Sequence, residues 1–124
     1  MIHLDTHVLV RLYLGQTGEL GPSARQAIEE HAVEVSPAAI LELEHLHEIG
    51  RLKPTASKVI AALEEELGLR VSGLPFQKVV EHALKENWGG DPFDRLIVAN
   101  AKASGAILVT KDEKIRRNYS DAIW

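Results

Sequence analysis

The residues with the most chemical promise in this 124-residue chain are acids in places where an acid is either directional or costly. Asp5 follows the apolar run Ile2 to Leu4, and Asp112 follows the run Ala106 to Thr110. If both runs are parallel strands, both acids stand at the carboxyl edge of one sheet, where open α/β folds bind their ligands. Each is equally good as an N-cap for the helix after it, since Asp is a preferred cap. Glu42 is harder to explain by capping. On a helix its neighbours at i−4, i−3, i+4 and i+7 are Ala38, Ala39, Leu46 and Ile49, so its carboxylate lies on the apolar stripe. A carboxylate there is costly unless it is paired, coordinated or neutralised. Asp94 repeats the pattern, with Ile97, Val98 and Ala101 at i+3, i+4 and i+7. A capping box with Asp91 as N-cap, Pro92 at N1 and Asp94 at N3 accounts well for Asp91 and less well for Asp94. Asp91 is therefore read as a cap first and a ligand second.

Four acids brought to one sheet edge suit Mg²⁺ or Mn²⁺, hard cations that take oxygen ligands and keep several waters. Zinc is a poorer match. The chain has no cysteine, which removes thiolate sites, disulfides and cysteine nucleophiles together. His45 and His47 are two helical positions apart and point to different faces, and no HExxH helix exists. Gly89-Gly90 has no partner glycine or lysine in the register of a nucleotide-binding loop. Glu44 and Glu48 share a face with His47 and Arg51, the ordinary solvated stripe of an amphipathic helix.

The elements that must position these acids follow from the hydrophobic pattern. Ile2 to Leu4, Val33 to Val35, Leu69 to Val71 and Ala106 to Thr110 read as strands, with Ala122 to Trp124 as a further short one. Helical patterns lie between them, near 7–14, 22–31, 37–50, 54–67, 75–87, 92–104 and 113–118, several opened by a proline. This alternation predicts an α/β fold with a mostly parallel sheet of four to five strands. No repeat, low-complexity tract or long linker divides the chain, so residues 1–124 are expected to form one domain. Val59, Ile60, Leu63 and Leu67 on the fourth helix are expected in the core, with a dimer contact as the other use. No apolar stretch is long enough to span a membrane, and Asp5 comes too early for a signal peptide, so a cytoplasmic protein is expected.

With these residues in hand, the chain resembles the PIN domain, in particular the VapC-like toxin ribonucleases of bacteria and archaea. The resemblance covers nearly the whole chain and its landmarks occur in family order: Ile2-His3-Leu4-Asp5-Thr6-His7-Val8-Leu9, Ser36-Pro37-Ala38-Ala39-Ile40-Leu41-Glu42-Leu43, Asp91-Pro92-Phe93-Asp94-Arg95-Leu96-Ile97-Val98-Ala99-Asn100-Ala101, and Leu108-Val109-Thr110-Lys111-Asp112. It implies a three-layer α/β/α sandwich, Asp5, Glu42, Asp94 and Asp112 as catalytic metal ligands with Asp91 close by, and Thr6, Ser36 and Thr110 as polar support. It also implies an RNA substrate, a homodimer and a cognate antitoxin that inserts a peptide into the acidic groove. The chain departs from the pattern at Gly89-Gly90, where close relatives often carry histidine and arginine, so one phosphate contact is lost.

The expected reaction is hydrolysis of an RNA phosphodiester by two divalent ions roughly 4 Å apart, one activating water and the other stabilising the leaving 3′ oxygen. Arg95, Lys111, Lys114, Arg116 and Arg117, with Arg51 and Lys53, could hold the RNA backbone, against the plainer reading of a solvated helix face. The net charge of −4 speaks against a broad basic surface, although two bound divalent cations would offset it. The competing reading is a catalytically inert PIN-like module that binds a partner protein. A phosphatase or receiver domain fits less well, because Asp5-Thr6-His7 lacks the second acid such sites place nearby.

Overall fold

The computed structural model describes residues 1–124. Short β-branched runs form five strands: β1 (Ile2–Leu4), β2 (Val33–Val35), β3 (Arg70–Val71), β4 (Ile107–Val109) and β5 (Ala122–Ile123). Between them run α1 (Thr6–Tyr13), α2 (Pro22–Glu30), α3 (Pro37–Glu48), α4 (Ala56–Leu67), α5 (Phe76–Ala83), α6 (Pro92–Ala103) and α7 (Glu113–Asn118). All strand pairs are parallel and the order is β3-β2-β1-β4-β5. A parallel sheet must cover both faces, because every connection is a crossover and the strands expose apolar side chains on each side. The result is the parallel α/β fold that the alternation predicts, in the α/β/α sandwich that the resemblance implies.

Chain direction and strand order together create the important feature. From β1 the chain steps outward to β2 and β3, then returns to the other side of β1 for β4 and β5. Strand order therefore reverses at β1, and a crevice opens beyond the carboxyl ends of β1 and β4, which pair from Ile2 with Ile107 to Leu4 with Val109. Ligands of open α/β sheets bind at such a reversal. Beneath it the core is continuous: Ile2, Leu4, Leu9, Leu43, Val59, Leu63, Ile97, Leu108 and Ile115 are all fully buried.

Several boundaries differ from the sequence expectation, each for a local reason. β3 and β4 are shorter than the apolar runs that hold them, since Leu69, Ala106 and Thr110 lie just outside the paired residues. Pro22, Pro37 and Pro92 open helices at N1, but Pro54 does not, because Thr55 caps α4 with its Oγ1 accepting from Lys58 N at 3.3 Å. The helix expected over 75–87 ends at Ala83. There Glu86 turns inward, where it accepts from Trp88 Nε1 at 2.5 Å and pairs with Lys102 Nζ at 2.8 Å. A short 3-10 turn, Thr17–Glu19, was not expected.

Of the fourth-helix residues considered for a dimer contact, Val59, Ile60 and Leu63 are buried in the core and Leu67 alone is exposed. Glu44 is not part of a purely solvated stripe. Its Oε1 accepts from Ala56 N at 3.0 Å and so ties α3 to the start of α4, while His47 Nδ1 lies 3.1 Å from the Leu52 carbonyl. His3, in the middle of β1, is fully buried, and burial lowers its pKa against the opposing pull of Glu34 beside it. No helix is long and apolar enough to cross a membrane.

Candidate metal centre

Asp5 is the first residue beyond β1 and its position is fixed by hydrogen bonds on every side. Its N–H donates to the Val109 carbonyl at 3.0 Å, which carries the β1–β4 pairing one residue further. Its Oδ1 caps α1 by accepting from Thr6 N at 2.8 Å, and its Oδ2 accepts the Thr110 hydroxyl at 2.6 Å. His7 Nε2 lies 3.3 Å from the same Oδ2. Burial alone would raise the Asp5 pKa, but the His7 contact, the Thr110 hydroxyl and the Thr6 amide outweigh it and hold the carboxyl below its ordinary value. These contacts favour the charged form of Asp5 at the floor of the crevice.

Glu42 on α3 and Asp94 on α6 approach from the helices, which pack against each other above the sheet edge. The Thr6 hydroxyl donates to Glu42 Oε1 at 2.5 Å, so one residue of α1 touches two of the acids. A carboxylate oxygen from each of Asp5, Glu42 and Asp94 lies within 4.8 Å of the others. Desolvation raises the Glu42 pKa, with the charges of Asp5 and Asp91 adding and the Thr6 hydrogen bond opposing. Asp94 is pushed up to about 7, first by desolvation and then by the charges of Asp91, Asp5, Glu42 and Asp112. Three carboxylates that repel one another so strongly are an oxygen donor set in need of positive charge. Their hardness and spacing fit Mg²⁺ or Mn²⁺, and no sulfur or imidazole ligand stands among them to favour zinc.

The acids line a cavity of about 440 Å³ together with Thr6, His7, Arg11 and Glu19. Asp112 lines it too, but it stands outside the close trio, and its Oδ1 caps α7 by accepting from Lys114 N at 2.8 Å and Ile115 N at 3.0 Å. Asp91 Oδ1 accepts from Asp94 N at 2.8 Å, the capping role expected of it. Thr6 and Thr110 reach the acids directly. Ser36 does not line the cavity: its Oγ accepts from Ala38 N at 3.2 Å, and it borders a separate apolar pocket with Leu41, Phe76 and Leu96.

None of the basic residues expected near RNA lines the acidic cavity. Arg95 donates to the Ala83 carbonyl at 2.9 Å and so braces α5. Lys114 Nζ sits 5.9 Å from the Trp88 ring centre, and Arg116 donates to the Lys111 carbonyl at 3.2 Å. Lys111 and Arg117 are exposed. Sequence reasoning missed His7 and Arg11, which do line the cavity. Their spacing of four residues on a helix that starts at a site acid was the available signal, since it stacks them on one face. The structure adds what spacing could not supply, the Lys111 amide nitrogen 3.0 Å from His7 Nε2, brought there from the end of the neighbouring strand β4.

Comparison with known proteins bears on the fold and the family. A family model described as PIN domain matches residues 2–120. A Mycobacterium tuberculosis protein named Ribonuclease VapC22 is 38% identical, covering 91% of this chain and 88% of its own length. Among solved structures, a toxin–antitoxin complex from Klebsiella pneumoniae matches with a TM-score of 0.68 at 17% identity, over 100% of this chain and 97% of the matched one. The VapBC2 structure from Rickettsia felis, bound to a DNA fragment from its promoter, matches with a TM-score of 0.66 at 18% identity, over 99% and 96%. The two structural likenesses show the fold. The family model over residues 2–120 and the Mycobacterium relative show the family: the chain belongs to the PIN domain family.

Proposed function

We propose that this chain is a divalent-metal-dependent endoribonuclease, the toxin of a type II toxin–antitoxin pair, acting in the cytoplasm as a homodimer. The observation that carries the reading is the meeting of Asp5, Glu42 and Asp94 at the sheet's reversal point, from three elements far apart in sequence, with two of the three carboxyls held above their ordinary pKa. Ribonuclease VapC22 supplies the chemistry by name, and the toxin–antitoxin complexes among the structural neighbours support an antitoxin partner.

Asp5, Glu42 and Asp94 would hold the cation, with Asp112 facing it across the cavity and Asp91 behind Asp94. A bound Mg²⁺ or Mn²⁺ would supply Lewis-acid stabilisation of the charge that builds on a phosphodiester and would acidify the attacking water. The protein's own part is positional. His7, the Thr110 hydroxyl and the Thr6 amide at the start of α1 favour the charged form of Asp5 and hold it in place. The Thr6 hydroxyl fixes which Glu42 oxygen faces inward. Glu42 and Asp94 hold protons more readily than ordinary carboxyls, and a bound cation would favour their charged forms, so cation binding would be linked to proton loss. Lys111, Lys114, Arg116 and Arg117 lie around α7, past the end of β4, and are proposed as weaker contacts to the RNA backbone, with Arg95 serving mainly α5.

The test is cleavage of RNA by the purified protein with Mg²⁺ or Mn²⁺, with and without chelator, alongside calorimetric titration of Mn²⁺. Metal-dependent cleavage together with Mn²⁺ binding is the expected result. Tight binding of a partner protein with no Mn²⁺ binding would instead make the chain an inert docking module.

A further inference from the structure

The acidic cavity has one permanently charged cation in its wall, Arg11 on α1. All the hydrogen bonds of Arg11 run through a single nitrogen: Nη1 donates to the His7 carbonyl at 3.3 Å and lies 3.0 Å from His7 Nδ1. The Trp124 ring, 5.8 Å from Cζ, backs the guanidinium. Nε is different. It is buried and has no hydrogen-bond acceptor, and the nearest carboxylate, Glu19, stays 3.7 Å away. The Nε–Nη2 edge is the fork that grips two oxygens of a phosphate or carboxylate at once. Here that fork is held in place from one side and left without an acceptor on the other.

We infer that the Nε–Nη2 edge of Arg11 binds a phosphate of the RNA substrate, and that Glu19 covers this position in the free protein. The inference rests on the ribonuclease reading and adds to it the residue that receives the RNA backbone. Charge supplies one argument. An RNA strand entering a cavity lined by Asp5, Glu19, Glu42, Asp94 and Asp112 meets like charge throughout, and a cation among the carboxylates serves only the phosphate that touches it. A second phosphate needs its own positive partner, and Arg11 is the one in reach. Glu19 supplies the other argument. It stands on the short turn Thr17–Glu19 with its side chain 58% exposed, so it can leave without disturbing the core. When it leaves, the buried Nε gains access to an acceptor of the same charge and similar shape.

Steady-state cleavage of a fluorescent single-stranded RNA in Mn²⁺, repeated across a range of salt, separates this from a purely structural role. Arg11→Lys keeps the charge but loses the fork, and is expected to raise KM about tenfold with kcat changed by less than about threefold. In Arg11→Gln, which removes the charge as well, the salt dependence of log KM should flatten by about 0.7, the value for one lost phosphate contact on a single strand. Glu19→Gln, at an exposed site, is expected to move KM the other way, down by roughly threefold, because a competing anion has gone. If Arg11 merely braces His7, Arg11→Lys would lower kcat at constant KM, Arg11→Gln would keep the salt slope and Glu19→Gln would change nothing, and any of these results overturns the inference while leaving the ribonuclease reading intact. Failure of the unsubstituted protein to cleave RNA while it binds Mn²⁺ overturns both.

Discussion

Replacing Asp94 with asparagine is expected to abolish RNA cleavage and, at the same time, to stabilise the metal-free fold. Asp94 titrates at about 7 rather than at its ordinary 3.8, because it is partly desolvated and faces Asp91, Asp5, Glu42 and Asp112. A folded-state pKa above the unfolded one means that the folded chain binds more protons between those values. Stability is therefore fullest below pH 3.8 and is lost as the pH rises towards 7. At 1.36 kcal/mol per pKa unit, the loss has an upper bound of roughly 4 kcal/mol. Asp94 is only half-buried, and screening by solvent in an open cavity reduces this to about 2 kcal/mol.

Asparagine keeps the shape of the side chain and removes the repelled charge. Against the gain stands a cost of about 0.3–1 kcal/mol for losing a negative charge from the first turn of α6. The net effect at pH 8 in chelator is a gain of about 1 kcal/mol, read as a rise in Tm of about 3–6 °C for a chain of this size. At pH 5 the carboxyl is protonated in the folded state but ionised in the unfolded one, so only roughly a third of the loss has set in and the gap between the two proteins should shrink accordingly. Adding Mn²⁺ at about 100 times its Kd should then stabilise the unsubstituted protein by about 2.7 kcal/mol and the variant far less, inverting their order. Scanning calorimetry at the two pH values, with chelator and with Mn²⁺, reads all four states. A variant that melts below the parent at pH 8 in chelator, or that gains as much from Mn²⁺, would refute the electrostatic account of the site.

Two other substitutions probe what surrounds the acids. Thr6→Val removes the hydroxyl that donates to Glu42 at 2.5 Å, and Mn²⁺ affinity by calorimetry should fall about tenfold with little change in Tm, since groups that orient metal ligands commonly matter this much; an unchanged affinity would show that Glu42 is positioned without it. Lys102→Met leaves Glu86, 4% exposed, without its ionic partner, and should cost about 2–4 kcal/mol in chemical denaturation because a buried charge is stranded. Trp88, bonded to Glu86, reports the change by fluorescence, and a loss under about 0.5 kcal/mol would mean that the Trp88 N–H alone suffices.

Much of the sheet was legible because its strands are short β-branched runs between clear breakers, and a parallel arrangement follows from the alternation with helices. Strand ends were not, since Leu69 carries the β-type run ahead of the first paired residue of β3 and Thr110 carries it past the last paired residue of β4. The overlong fifth helix shows a deeper limit. Leu84 to Asn87 carry no breaker, and what ends the helix is a buried ion pair between Glu86 and Lys102, residues 16 positions apart whose meeting depends on the packed fold. The trio Asp5, Glu42 and Asp94 could be suspected because two of them stand on apolar helix faces. Arg11 and His7 could not be sorted from an ordinary exposed pair, because their partners Lys111 and Trp124 arrive from the other end of the chain. The basic residues of 111–117 cluster in sequence and lie on and beside α7, but none of them lines the cavity.

Capping and metal binding looked like rival explanations for the acids, and the geometry shows why they are not. A parallel strand ends where its following helix begins, so the residue between them stands at the carboxyl edge of the sheet and at the positive end of a helix dipole at once. Asp5 caps α1 and Asp112 caps α7 from that position, and each still borders the cavity. A carboxylate has about four acceptor sites on two oxygens, and one or two backbone amides do not use them up. The caps supply a further benefit, for an amide bonded to one oxygen fixes the direction of the other. Glu42 has no such help, being in mid-helix, and the Thr6 hydroxyl does for it what a backbone amide does for Asp5. The same local rule that starts a helix therefore places and aims the site, and only the acid that the rule cannot reach needs a side-chain partner of its own.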